Sequence, residues 1–156
     1  MAVTIDGVGE INGVVLPTTG FGKVLQVVRA TDVTQRATTS ATFVDVTGMA
    51  VTITPQRSTS NILIIASFNG QIDTGARAGS NYQITNAANT AISGANKQVF
   101  LQDTITLAPI LIMAYDAPAT TSATTYKLRF SADTFNQNLV RNDNNTGQMY
   151  AIEVSA

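Results

Sequence analysis

The chain has 156 residues, of which 44% are hydrophobic and only 12% are charged, and its net charge is −1 at neutral pH. A chain of this length fits one domain, with a core large enough to need no metal or disulfide support. The sequence contains neither cysteine nor histidine, which excludes zinc sites built on thiolate or imidazole and excludes Ser-His-Asp and Cys-His catalysis. Because the basic residues are few and scattered, we expect no binding of nucleic acid and none of a membrane surface.

The low share of charged residues, against a typical value of roughly 25%, places most of the polarity on Thr, Ser, Asn and Gln. Threonine and valine favour extended backbone, since branching at Cβ restricts their side chains in a helix. Surfaces of this composition are common in proteins that pack against neighbours in stable assemblies.

Residues 1–21 differ from the rest of the chain, because four glycines and one proline separate isolated apolar side chains. The first six residues lack the basic start and apolar run of a signal peptide. We expect an N-terminal arm with one short β segment near 11–16, too apolar to be a frayed tail in water. Its predicted anchors on a preformed surface are Ile5, Ile11, Val14, Val15 and Leu16.

From residue 22 onward the chain reads as a series of short strands separated by turn residues. The predicted strands span 23–30, 43–46, 49–54, 61–68, 82–85, 99–101, 104–115, 124–131 and 148–154. Gly48 is expected to form a turn or bulge between the second and third of these. The segment 61–68 is almost continuously apolar, which predicts a central strand buried on both faces. The segment 107–115, bent at Pro109, is too short to span a bilayer.

No segment keeps a period of 3.6 residues over three turns, so the pattern contains no helix. Short strands with regular turn signals are typical of sandwiches and barrels. We therefore predict an all-β fold, an antiparallel β-sandwich of about eight strands that is jelly-roll-like, as one domain over residues 22–156 behind the arm.

Two short motifs could carry chemistry. The string Asp73-Thr74-Gly75-Ala76 matches an aspartic-protease signature, but that reaction needs two carboxylates sharing a proton, and Asp-x-Gly is ordinary turn chemistry. The loop from Asn142 to Gly147 could ligate a hard cation, but it holds one carboxylate and Asn-Gly-rich turns need no metal, so we interpret it as a turn. Asp103, Asp116 and Asp133 lie at strand ends without a spacing that selects a glycosidase pair. We expect no enzymatic activity, no cofactor and no metal.

An ordered set of segments resembles a recurring module in structural proteins of tailed phages, especially those of cyanobacteria and marine bacteria. The segments are GKVLQVV at 22–28, TTSATFVDVTGM at 38–49, VTITP at 51–55, STSNILI at 58–64, TYKLRF at 125–130 and MYAIEV at 149–154. The resemblance covers about residues 22–156 and implies a virion protein. Such modules occur in head decoration or cement proteins and in tail-fibre proteins.

Because only a short glycine-rich arm precedes the module here, we expect a small stand-alone subunit. The resemblance then implies a capsid decoration protein that stabilises the head by binding between coat subunits, assembled in the host cytoplasm. Its implied partners are itself, as a homotrimer, and the phage major capsid protein or another virion protein. The alternative is a tail-fibre or adhesin module that recognises a host-surface glycan through tyrosines, of which the chain has Tyr82, Tyr115, Tyr126 and Tyr150.

The arm generates a first prediction. Burying its five apolar anchors on a neighbouring surface would contribute about 5–10 kcal/mol before the cost of ordering the segment. Deletion of residues 1–20 should therefore leave a folded sandwich that no longer attaches to its particle, measured by co-sedimentation with the particle and by circular dichroism. Attachment as tight as that of the full chain would show that the arm is not the anchor, and unfolding would place the arm in the core.

Overall fold

The computed structural model describes residues 4–5, 11–12, 22–73, 78–101, 107–133 and 137–156, and every regular element in these ranges is a β-strand. The N-terminal pair is β1 (Thr4–Ile5) with β2 (Ile11–Asn12), antiparallel. The strands that follow are β3 (Val24–Asp32), β4 (Gln35–Thr38), β5 (Val44–Ile53), β6 (Asn61–Asp73), β7 (Ala78–Asn86), β8 (Ala91–Leu101), β9 (Leu107–Asp116), β10 (Thr124–Ala132), β11 (Gln137–Arg141) and β12 (Gly147–Val154). All pairings are antiparallel.

The last ten strands form two sheets. Sheet I is built around β6, which pairs with β9 along one edge and with both β11 and β12 along the other. Strands β11 and β12 follow each other along that edge, separated by a turn, and β4 and β3 continue beside them. Sheet I therefore has four strand positions, β3/β4, β11/β12, β6 and β9. Sheet II has the order β5-β10-β7-β8.

This connectivity is that of a jelly roll. Numbered along the chain, the eight strand positions have the order 1-8-3-6 in sheet I and 2-7-4-5 in sheet II, which is the order of two interlocked Greek keys. The predicted fold class, an antiparallel jelly-roll-like sandwich of about eight strands, is confirmed. Gly48, predicted as a turn or bulge, lies in an irregularity of β5 with φ of 96°, where the β5–β10 register shifts.

The core lies between the two sheets and follows the two-residue period of the strands. Sheet II contributes Tyr126, Leu128 and Phe130 from β10, each no more than 2% exposed. The Tyr82 ring packs against Phe68 of sheet I with centroids 5.0 Å apart. These inward rows exclude water and supply most of the hydrophobic stabilisation.

The buried tyrosines keep their hydroxyls hydrogen-bonded. Tyr82 Oη donates to Asn138 Oδ1 at 2.7 Å, and Asn138 Nδ2 donates to the Ser131 carbonyl at 3.0 Å. Tyr126 Oη donates to Asp116 Oδ2 at 2.7 Å. Burial raises the pKa of both tyrosines above the usual range, and the Asp116 carboxylate raises that of Tyr126 further.

One expectation for β6 is wrong in part. The strand is central, as predicted, and Ile62, Ile64, Ala66 and Phe68 are 0–3% exposed. Burial on both faces does not occur, however, because Leu63 and Ile65 are only half-buried and Ser67 is exposed. A two-layer sandwich covers one face of each sheet, so the second apolar face of β6 points away from the core.

A polar contact joins the break between β3 and β4 to the break between β11 and β12 in sheet I. Asn142 Nδ2, in the turn between β11 and β12, donates to Asp32 Oδ2 at 2.9 Å, and Asp32 Oδ2 also accepts the Thr34 backbone N–H at 3.2 Å. A Cβ on Gly147 would lie 2.4 Å from the Asn142 amide, so only glycine fits there. The loop that could have ligated a cation is thus engaged in joining β3/β4 to β11/β12.

A buried carboxylate fixes the turn that leads into β6. Glu153 on β12 is 0% exposed and accepts a bond from Gln26 Nε2 at 2.6 Å and from the backbone N–H groups of Gln56 at 2.8 Å and Arg57 at 3.3 Å. Burial alone would raise the pKa of Glu153, but these donors outweigh it and hold the pKa below its usual range. The carboxylate thereby connects β3, β12 and the β5–β6 turn.

This network generates a second prediction. Glu153→Ala leaves buried N–H groups without a partner and should lower the free energy of unfolding by about 2–4 kcal/mol at pH 7. Glu153→Gln should lower this free energy less. Because the folded-state pKa is lowered, the stabilisation is complete above the unfolded pKa of about 4.3 and is lost as the pH falls through the folded value. In urea unfolding, the free energy of unfolding of the natural chain should therefore exceed that of Glu153→Gln by an amount that decreases from pH 7 to pH 3. A difference that stays constant with pH would contradict an ionised Glu153. As a control, Asp143→Asn removes an exposed carboxylate paired with Arg141 and should change stability little.

Candidate assembly surface

The outer face of sheet II is polar and its charges are paired. Asp45 on β5 accepts hydrogen bonds from Lys127 Nζ and from Arg129 Nε, both at 2.8 Å. Partial burial opposes ionisation of Asp45, but the two cations together hold its pKa below the usual range. Thr52 Oγ1 and Thr125 Oγ1 lie 2.8 Å apart on the same face. This face therefore has the composition of an ordinary solvated surface.

The outer face of sheet I is apolar. The registers of β3, β12, β6 and β9 align the outward side chains in three adjacent rows. The first row is Val27, Ile152, Leu63 and Tyr115, the second is Arg29, Tyr150, Ile65 and Met113, and the third is Thr31, Gln148, Ser67 and Leu111. The apolar members of these rows, here called the apolar patch, are Val27, Leu63, Ile65, Leu111, Met113, Tyr115, Tyr150 and Ile152.

Several side chains of the apolar patch are more than half exposed. Val27 is 56% exposed, and on β9 Leu111 is 51%, Met113 57% and Tyr115 58% exposed. Single exposed hydrophobic residues are normal, but a contiguous group on one face marks an interaction site. A monomer in water has no need of such a surface, so the apolar patch is the candidate interaction site of this sandwich.

The apolar patch carries almost no charge. Within the three rows the single charged side chain is Arg29, whose guanidinium carbon lies 5.8 Å from the centroid of the Tyr150 ring. Tyr150 Oη donates to Gln148 Oε1 at 2.6 Å. Glu153, on the same strand, points into the sandwich. A partner on this face would thus be held by apolar contact and not by salt bridges.

One of the two edges of sheet I that adjoin the apolar patch, the edge of β9, is protected. Pro109 lacks a backbone N–H, and proline is tolerated in a strand where that position faces the free edge. Lys97 Nζ, from β8 of sheet II, donates to the Leu111 carbonyl at 3.4 Å. Both features are devices that prevent another strand from adding to an edge. The outer face of β9 is exposed, whereas its edge is blocked.

The predicted arm anchors remain predictions. The backbones of Ile5 and Ile11 are paired with each other, but the positions of their side chains lie outside the described part of the structure. Val14, Val15 and Leu16 lie outside the described residues altogether. The expected boundary between an arm at 1–21 and the sandwich at 22–156 also stays a prediction.

The residues that could have suggested catalysis do not converge in the described part of the chain. Asp73 ends β6, and residues 74–77 and Asp103 lie outside the described residues. Asp116 accepts the Tyr126 hydroxyl, and the Asp133 N–H donates to the Gly79 carbonyl at 2.9 Å. No three His, Cys, Asp or Glu side chains among the described residues are grouped to hold a metal ion.

The other surface features of the described residues are weaker candidates for a binding site. A depression of about 270 Å³ is lined by Asn86, Ala87, Ala88, Ala123, Thr124 and Thr125, none of them ionisable. Of the four tyrosines considered for stacking on a sugar, Tyr82 and Tyr126 are in the core, whereas Tyr115 and Tyr150 belong to the apolar patch. In the described residues, no helix is both long and apolar enough to cross a membrane.

No protein-family model matches the chain, and no curated protein matches it either. Among solved structures, it is similar to a chain in the structure of infectious bursal disease virus, Gx strain, with a TM-score of 0.40 and 13% sequence identity. The match covers 85% of this chain and 33% of the viral chain, so this protein spans about a third of that chain's length. A likeness of this degree does not extend to function.

The protected edge generates a third prediction. The double variant Lys97→Ala, Pro109→Val restores a backbone donor and removes the lysine that covers the Leu111 carbonyl, so β9 should become a template for strand addition. We expect faster aggregation on mild heating, measured by light scattering and by thioflavin fluorescence. Lys23→Ala removes the same charge at an exposed position away from β9 and should aggregate like the natural chain. Equal aggregation rates for all three proteins would show that the edge is not protected by these residues.

Proposed function

We propose that this chain is a non-enzymatic structural subunit of a bacteriophage virion, a decoration or cement protein that stabilises the head by binding between coat subunits. The observation that carries the proposal is the apolar patch. A sandwich whose core is packed and whose buried tyrosine hydroxyls are hydrogen-bonded leaves a largely apolar sheet face, with Arg29 as the single charge in its three rows, in water. Such a face is expected of a subunit that works in an assembly.

The ordered resemblance over residues 22–156 supports the phage virion as the place of assembly. It also supports a partner among the virion proteins, with the major capsid protein as the first candidate. Attachment to the particle is assigned to residues 1–21, whose apolar side chains are separated by flexible glycines. A segment of this kind can order on a preformed surface and add backbone hydrogen bonds to an exposed strand. The homotrimer implied by the resemblance remains part of the proposal.

Stabilisation of a shell by such a subunit is additive. Three rows on four strands cover on the order of 400 Å², from strand spacings of about 4.8 Å and row spacings of about 6.8 Å. Roughly two thirds of this area is apolar, and at about 25 cal/mol per Å² its burial contributes about 7 kcal/mol, whereas association itself costs about 4–15 kcal/mol. One contact is therefore weak, and many contacts repeated by the symmetry of a particle are strong.

A second candidate, a tail-fibre or adhesin module that binds a glycan, is favoured by one observation. Tyr115 and Tyr150 lie on the same exposed face, and Arg29 and Gln148 adjoin Tyr150. Aromatic faces with neighbouring polar groups are what sugar binding requires. Against it, six of the twelve side chains in the rows are aliphatic or thioether groups that cannot hydrogen-bond to a sugar.

A particle assay tests the proposal. Virions that lack this chain should release their DNA at a lower temperature than complete virions, because the contacts between coat subunits lose their reinforcement. Adding back the purified full chain should restore the release temperature, whereas the protein lacking residues 1–20 should not. An unchanged release temperature in virions without the chain would refute the cement role, and binding to host-surface glycans by the free chain would favour the adhesin.

A further inference from the structure

We infer that the apolar patch binds the same patch of a second copy of this chain, so that two sandwiches pair face to face through their sheets I. The inference rests on the proposed function only in that the chain is an assembling subunit. It assigns the sheet face to self-association and leaves residues 1–21 to hold the particle.

The shape of the surface selects a flat partner. Two sheets pack with their mean planes about 10 Å apart and their side chains interdigitated, which requires an apolar sheet face on each side. Among the described residues, sheet II presents paired charges and threonines outward, and sheet I presents the apolar patch. The flat apolar face that this chain can offer a partner is therefore the patch itself.

The charge of the surface also favours a second copy. Two like surfaces can meet only if like charges do not face each other across a dry contact. Arg29 is the single charge in the three rows, and it lies over the ring of its own Tyr150. An acidic or basic partner would find almost nothing to pair with on this face, whereas a copy of the same neutral face meets no repulsion.

Pairing through the edge of β9 is disfavoured. Pro109 has no backbone N–H to donate to another strand, and Lys97 Nζ donates a hydrogen bond to the Leu111 carbonyl. On the β9 side a second copy would therefore approach the face of sheet I and not extend the sheet. A contact between identical faces is isologous and closes at two copies, so a trimer would need a different contact elsewhere on the molecule.

The area sets the strength that is expected. With on the order of 400 Å² from each copy, the contact buries about 800 Å² in total, which is below the roughly 1,200–2,000 Å² of a stable specific interface and in the range of weak, transient contacts. The free chain should thus be in a monomer–dimer equilibrium with a dissociation constant of roughly 10–500 µM. Because a pair carries two N-terminal segments, pairing would let one subunit pair bridge two sites on a particle and raise the effective affinity.

Sedimentation equilibrium of the full chain, from about 5 µM to 1 mM, tests this inference. We expect a monomer that converts to a dimer over this range. Met113→Glu and Val27→Glu place a charge at exposed positions on opposite sides of the patch and should each weaken the dimer at least about tenfold. Ala50→Glu introduces the same charge on the outer face of sheet II, opposite Lys127, and should leave the equilibrium unchanged. Circular dichroism shows whether each variant is folded. Because the two substitutions are on different strands, one variant still tests the inference if the other fails to fold.

The inference would be overturned by a monomer at all concentrations, by a trimer as the associated species, or by equal weakening of the dimer by Ala50→Glu. Loss of the dimer on deletion of residues 1–20 would also overturn it, since the N-terminal segment would then be the occupant or the link. Attachment to virions is measured separately. A chain that dimerises but leaves the heat stability of virions unchanged refutes the cement role alone, and one that stabilises virions without dimerising refutes the pairing alone.

Discussion

A two-layer sandwich has one interior, so it can bury only one face of each of its sheets, and the rest of this structure depends on that constraint. Sheet II meets this constraint, because apolar and polar residues alternate along its strands. Tyr126, Leu128 and Phe130 lie inside, and Lys127 and Arg129 lie outside around Asp45. In sheet I the inward residues satisfy it equally well, but most of the outward residues of β6, β9 and β12 in the three rows are apolar too. The chain therefore carries more hydrophobic sheet surface than its own fold can cover.

Buried polar groups hold that surplus face in a defined shape. Glu153 ties β3 and β12 to the turn before β6, and the Asp32–Asn142 contact joins the two places where strands of sheet I are interrupted. Each of these bonds crosses between elements that are far apart in sequence, so each constrains the sheet as a unit. A rigid, flat face loses little entropy on binding, which suits a surface whose individual contacts are weak and whose strength comes from repetition.

Much of the fold could be predicted from the sequence, because strand period and turn residues are local signals. The jelly-roll-like sandwich, the central position of 61–68 and the bulge at Gly48 were predictable in this way. Two strands and most of a third were not. β4 and β11 lie outside every predicted strand, and only residues 99–101 of β8 lie within one. β4 and β8 are edge strands of their sheets, and the pairing of all three depends on distant partners and not on their own composition.

The sequence by itself determined the fold class and the surplus of apolar strand residues, and it excluded zinc and histidine chemistry by composition. Only the tertiary structure decided which of those residues are inside. A run such as Leu63, Ile64 and Ile65 is consistent with burial on both faces, and nothing local shows whether a second layer lies over it. The order of strands places β3, β12, β6 and β9 side by side, and this brings Val27, Ile65, Met113 and Tyr115 together although they are far apart in the chain. A patch of this kind is a property of strand register, because each strand contributes only one to three side chains to it.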